Sequence, residues 1–290
     1  MLSDVTQLLV GGLLLGGIYG LAAFGLSISF GVLRILNLAH GEFLMLGSLA
    51  AYSAFVTLGT NPFLAAVLII PLFVLVGAGF YVLLLKPISD KPPHQLLVSS
   101  ILVTLGASLT IEDLTAFFWQ RPITGIAYSL PPLDIGGVVV SSLRLLILLF
   151  ICVLAVVLQV YLRKTFIGRA IQAITQCREG AKVVGVPIAQ VSAVTFGLGA
   201  ALAASAGVFY ATLFTVTPVI GIPLTVKYLC VVVLGGLGSL VGSVVGGLIL
   251  GLAEAFTAYY LGAEWSPCVP FILLISVLII RPSGLFGSSE

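Results

Sequence analysis

The chain has 290 residues, of which 60% are hydrophobic and only 8% charged, with a formal net charge of +2. That balance leaves too little polar surface to cover a water-soluble globule, and no basic patch with interleaved aromatics is present, so a soluble enzyme or nucleic-acid-binding module is excluded. The apolar residues come in solid runs and not in every second position, which also excludes a transmembrane β-barrel.

About 20 apolar residues carry a helix across the hydrocarbon core of a bilayer. On that measure the chain reads as helices at roughly 5–30, 42–59, 62–86, 95–119, 143–163, 188–214, 226–260 with a break, and 267–281. The fold class expected is all-α: a polytopic membrane protein of about eight transmembrane helices, with broken or re-entrant segments near 31–42 and 235–240. The first run has only Asp4 ahead of it, lacks a basic leading segment and is too long for a signal-peptide core, so it reads as a helix of the mature protein.

Charged or strongly polar side chains inside apolar runs are costly unless paired or hydrated. The segment RILNLAHGEF places Arg34, Asn37, His40, Gly41 and Glu42 between the first two runs, with few turn residues. Two readings stand. In one, this is a broken helix at membrane depth that lines or gates a solute path, its freed backbone groups satisfied within the protein or by a watery cavity. In the other, it is a short cytoplasmic turn, with Asn37 capping the next helix and His40 and Glu42 solvated.

Orientation follows from the retention of Lys and Arg on the cytoplasmic side. Lys86 and Lys91 share one short connection, and Arg163, Lys164, Arg169, Arg178 and Lys182 share another, which makes both cytoplasmic. The 120–142 connection, with Arg121 and Asp134 and with Arg144 close by, then faces outward, as does the N-terminus with Asp4. Glu112 and Asp113, near Trp119, and Glu254, near Tyr259 and Tyr260, are explained by interfacial placement as well as by function.

Between Gly168 and Gly185, Arg169, Gln172, Gln176, Arg178, Glu179 and Lys182 alternate with small and apolar residues. The pattern predicts a short amphipathic helix closing at Gly185, ahead of Pro187. Such a helix rests on lipid head groups or docks into a groove on a soluble partner, and the residues alone leave both open. Further on, VLGGLGSLVGSVVGGLILG marks a helix break at Gly235, Gly236, Gly238 and Ser239, a candidate for the pathway, followed by small-xxx-small spacing at Gly242, Gly246 and Gly247.

Cys152, Cys177, Cys230 and Cys268 show no CxxC spacing, so neither a disulfide framework nor a zinc site is expected. His40 and His94 do not form an HExxH motif, and GxSxG and GxxxxGK[ST] are absent from the sequence. The chain therefore reads as no enzyme and as having no Walker A nucleotide site; if ATP drives it, another subunit holds that site.

NLAHGEF, GRAIQAITQCREGAKVVGVP, VSAVTFGLGAALAASAGVFYA and VLGGLGSLVGSVVGGLILGLAEA, in that order, resemble the permease subunits of branched-chain amino-acid ABC importers. The resemblance runs from about Leu8 to the closing RPSGLFG. It implies a single transmembrane permease domain over 1–290 with a cytoplasmic coupling loop at 164–187, in the bacterial inner membrane, N-terminus outside and C-terminus inside. It further implies a second related permease, two cytoplasmic ATPase subunits and an extracytoplasmic solute-binding protein as partners, with no cofactor on this chain and with ATP and magnesium on the ATPase.

By the same resemblance, Arg178, Glu179, Ala181, Lys182 and Gly185 couple the chain to the ATPase, with Arg169 as a flanking contact. Small Ala181 permits close seating, Gly185 the turn, and Arg178 with Glu179 fix the register. Asn37, His40, Glu42, Gly235, Gly236, Gly238 and Ser239 are the pathway candidates. The implied cargo is a branched-chain or other neutral amino acid; the same machinery carrying urea or short amides is the nearest alternative. An ATP-independent channel or secondary transporter is the alternative of a different class. Secondary transport calls for paired ionisable residues deep in helices, whereas Arg34, Glu42, Glu112, Asp113, Lys227 and Glu254 lie mostly near predicted ends.

Overall fold

The structure is a computed structural model that describes residues 2–119, 125–135 and 138–287. Arg121 lies outside the described residues, as do the side chains of Asp4 and Asp134, so the outward placement of these three is not addressed.

The first helix, α1 (Leu2–Leu33), ends where Arg34 takes a positive φ of 55°. From there to Ala39 the chain is irregular, and α2 (His40–Leu58) follows, closed by Gly59 in the left-handed conformation. Helix α3 (Pro62–Phe80) starts where the Leu64 N–H donates to Asn61 Oδ1 at 2.7 Å, with Pro62 in the first turn, where its missing N–H costs nothing. It continues through a π turn (Tyr81–Leu85) and a 3-10 turn (Lys86–Ile88). After α4 (Pro93–Phe118), a two-stranded antiparallel hairpin pairs β1 (Leu133–Ile135) with β2 (Val138–Val140).

Helix α5 (Ser142–Lys164) carries Arg163 and Lys164 in its last turn, where positive charge suits the helix dipole. The basic connection then folds as α6 (Phe166–Gln176) and α7 (Arg178–Val183). Helix α8 (Ile188–Leu213) is followed by a 3-10 turn (Pro218–Ile220), α9 (Gly221–Gly235), α10 (Leu240–Tyr260), a second 3-10 turn (Ala263–Cys268) and α11 (Val269–Ile280).

Nine of the described helical segments are long and apolar enough to cross a membrane. This agrees with the expected count of about eight, the additional segment arising because the seventh predicted run, expected to carry a break, is two helices. Its first part begins before residue 226, and positive φ angles at Gly236 (103°) and Gly238 (80°) turn the chain before Ser239 Oγ accepts from the Gly242 N–H to start α10. The break expected at 235–240 is present, as is the one after residue 31.

Helices α1 and α8 form the centre, while α3, α4, α5 and α11 expose apolar faces. The α1–α10 contact is the most extensive and is antiparallel: a Cβ on Gly16 would lie 2.6 Å from Leu248 Cα, and one on Gly247 would lie 2.4 Å from Gly20 N. In lipid, where apolar burial gives helices little reason to associate, such backbone approach supplies the packing energy.

Candidate functional site

The two broken segments meet. Gly41 N–H donates to Thr225 Oγ1 at 2.7 Å, and the Thr225 hydroxyl lies 3.1 Å from Leu38 O and 3.0 Å from Gly221 O. A Cβ on Gly41 would fall 1.9 Å from Gly221 O, and one on Gly221 would fall 2.0 Å from Glu42 Oε1. The first turns of α2 and α9 are therefore in backbone contact.

Their depth is fixed by α1. His40 Nε2 lies 2.9 Å from Ala22 O, and Ala22 is eleven residues, about 16 Å at 1.5 Å per residue, from the end of α1 at Leu33. Both α2 and α9 thus start about half-way along α1 and run in opposite directions. α2 leads to the end where Phe63 packs on Phe209 near the close of α8; α9 leads to the end where Gly31 and Gly238 line one cleft. Each is preceded by a long helix and a stretch of chain that folds back into the protein, α1 before α2 and α8 before α9. The arrangement is that of an inverted pair.

The polar groups of this junction are enclosed. Asn37, His40 and Glu42 are 2%, 1% and 0% exposed. Asn37 Oδ1 accepts from the Ala39 N–H at 3.0 Å in an Asx turn that starts α2, and Ser108 on α4 donates to Glu42 Oε1 at 2.8 Å. The solvated-turn reading of RILNLAHGEF is thereby overturned, since only Arg34 of its charged residues faces outward. Glu42 Oε2 is buried without a hydrogen-bond partner among the described residues, and the positive ends of two helix dipoles converge beside it.

The opposite arrangement holds at the end carrying Arg34. Arg34, Asp90, Lys91, Arg178, Glu179 and Lys182 line a cleft of about 490 Å³, which brings both predicted basic connections to one side. The single amphipathic helix expected here is divided, because Cys177 takes an extended conformation (φ −151°, ψ 102°) and its Sγ accepts from Gly180 N–H at the start of α7. Gly185 (φ 82°) closes α7, with Gly185 N–H bonded to Lys182 O and Val186 N–H to Ala181 O.

Arg169, Glu179, Lys182 and Gly185 are exposed and Arg178 is half-buried, whereas Ala181 is turned into the protein at 4% exposure. The open surface is carried instead by Val183 and Val184, 86% and 77% exposed, which the sequence reading had not singled out. A second cleft, of about 600 Å³, is lined by Thr175, Gln176, Gly238 and Ser239, so α6 abuts the break between α9 and α10. Gly235 is enclosed against Gly242, and Gly236 packs on Gly287.

One cluster was not assigned from sequence. Lys227 Nζ on α9 lies 2.8 Å from Glu254 Oε1 on α10 and 3.2 Å from the Tyr19 hydroxyl on α1, which donates to Glu254 Oε2 at 2.9 Å. Glu254 is therefore an interior residue, 5% exposed, so of the two readings left open for it the interfacial one does not hold. Tyr228 packs against both Tyr19 and His40. The signal available in the sequence was a lone acid in a run of small and apolar residues, LGLAEAF.

A multi-pass helical protein with two opposed half-way helices at its centre and an exposed basic helix pair at one end is built as a membrane permease. The chain matches the family model described as branched-chain amino acid transport system / permease component over residues 8–278, and it belongs to that family. It is 31% identical to the high-affinity branched-chain amino acid transport system permease protein LivH of Salmonella typhimurium, over 98% of this chain and 96% of that protein. It is 30% identical to the corresponding protein BraD of Pseudomonas aeruginosa, over 98% and 96%. Among solved structures it shares the fold of a chain in PsaBC from Streptococcus pneumoniae in complex with Fab, at 11% identity, a TM-score of 0.50, and 95% and 92% coverage.

Proposed function

We propose that this chain is the permease subunit of an ATP-driven importer of branched-chain or other neutral amino acids. The observation that carries the reading is the family match across residues 8–278. The subunit is one permease domain of the bacterial inner membrane, with the N-terminus outside and the end bearing Arg34, Lys91 and Arg178 in the cytoplasm, in keeping with the excess of Lys and Arg there. It has no nucleotide site of its own. It pairs with a second, related permease, each supplying half of the path; two ATPase subunits bind ATP and magnesium, and an extracytoplasmic binding protein delivers the solute.

Coupling begins at α7. Arg178, Glu179 and Lys182, flanked by Arg169, dock with Val183 and Val184 against the ATPase, Gly185 providing the turn and buried Ala181 fixing α7 to the permease. ATPase closure displaces α6 and α7. Because α6 shares a cleft with Gly238 and Ser239, the displacement reaches the break, where Gly235, Gly236, Gly238 and Ser239 act as a hinge for α9. The far end of α9 is bonded to α2, so Asn37, His40 and Glu42 move with it and gate the path from the centre. Nucleotide drives this cycle only to the extent that it binds one conformation more tightly than the other.

The test is reconstitution of the complete complex in liposomes with radiolabelled leucine outside and ATP within. ATP-dependent uptake that disappears in the Arg178→Ala/Glu179→Ala double variant supports the assignment. Uptake without ATP by this chain alone would make it a channel or secondary transporter.

A further inference from the structure

We propose that the Lys227–Glu254 pair is an intramembrane recognition point for the charged head of a zwitterionic solute, whose carboxylate exchanges onto Lys227 and whose ammonium exchanges onto Glu254. The inference rests on the import reading above and names the chemistry by which that path selects its cargo.

Structural need does not account for the pair. An ion pair withdrawn from water gains little over apolar residues of the same volume, and in lipid each charge is costly. This one is also incompletely closed: the Lys227 side chain keeps 21% of its surface open, and Glu254 Oε1, although 2.8 Å from Lys227 Nζ, makes no aligned hydrogen bond among the described residues. The lysine is held from below by the Tyr19 ring, 4.7 Å from its centroid, and the glutamate by the Tyr19 hydroxyl. Tyr19 thus keeps the two charges in place whether or not they touch each other.

Farther along α1 and α10, past the pair, there is room for a solute, although the pair itself does not line it. At the end opposite the basic clefts, a cavity of about 430 Å³ is lined by Leu8, Leu15, Arg144, Phe214, Ala255 and Tyr259 among others. Leu8, Leu15 and Tyr19 fall on one stripe of α1, so Tyr19 lies four residues, about 6 Å, beyond the cavity-lining Leu15, and Glu254 is the chain neighbour of Ala255. The cavity combines an apolar wall with Arg144, which forms no ion pair among the described residues, and suits an apolar side chain carrying a carboxylate. A free amino acid then replaces each member of the pair with its own opposite charge, so that no buried charge is left uncompensated during the exchange.

The experiment measures ATP-driven leucine uptake by the complete complex in liposomes for wild type, Lys227→Met/Glu254→Gln and the swap Lys227→Glu/Glu254→Lys. Losing one charge-assisted contact lowers affinity by about ten- to a hundredfold. The neutral variant is therefore expected to assemble, retain basal ATPase activity and lose leucine uptake, and the swap to keep the fold without restoring uptake, since it reverses the solute. Uptake by either variant within about twofold of wild type overturns the proposal and leaves the pair as a staple between α9 and α10. Should neither variant assemble, reductive methylation of Lys227 in the wild-type complex decides, read by mass spectrometry: protection by saturating leucine supports the site, and equal labelling with and without leucine overturns it. Wild-type complex that takes up no leucine overturns the import reading itself, and the site with it.

Discussion

The junction of α2 with α9 and the end that carries α6 and α7 use similar residues to opposite purposes. At the junction, Asn37, His40 and Glu42 are sealed among backbone groups and hydroxyls, and glycines bring the two helices into backbone contact. At the basic end, half-buried Arg178 and exposed Glu179 and Lys182 line a cleft, beside two exposed valines. A polar group in a dry interior is costly unless it finds a partner on the protein, so the first turns of α2 and α9 hold together as one unit; a polar group at an aqueous face stays free for a partner. Damage should therefore register as lost folding at the first region and as lost assembly at the second.

That contrast is tested by thermal unfolding in detergent, together with capture of the ATPase. Gly41→Ala should have the largest effect on stability, about 3 kcal/mol or more, because its Cβ meets the Gly221 carbonyl at 1.9 Å and neither backbone can yield. Glu42→Ala should cost about 2 kcal/mol by leaving the Ser108 hydroxyl buried and unpaired, whereas Glu42→Gln, which keeps an acceptor, should cost less than about 1 kcal/mol. Gly185→Ala has open space for its Cβ but a φ of 82°, so a loss of about 1 kcal/mol is expected from backbone strain alone. Arg178→Ala/Glu179→Ala should change stability by no more than about 0.5 kcal/mol while abolishing ATPase capture; a large drop in melting temperature with capture intact would invert the comparison.

The two regions themselves were legible from sequence. RILNLAHGEF stood out as polar residues without turn chemistry, and GGLGS as a break, because both violate the apolar pattern around them. The basic stretch near 169–185 was legible for the same reason. What pattern could not give was pairing. Lys227 and Glu254 are 27 positions apart and Tyr19 lies 208 positions from Lys227, so their contact depends on α1, α9 and α10 packing together. Nor did the amphipathic pattern reveal that Cys177 divides the basic helix, since an extended residue between two capped turns leaves the polar spacing almost unchanged.

Hydropathy, charge and glycine act locally along the chain, and from them it follows that this protein lives in lipid, that it is helical, which connections are basic and where its helices break. The meeting of the two breaks at half depth, the enclosure of some polar side chains and presentation of others, and the joining of three distant residues in one charged cluster arise in the packed fold. Those outcomes depend on which helices touch, and helix contact in a bilayer is set by the close approach of small residues on separate segments, information that no local pattern contains.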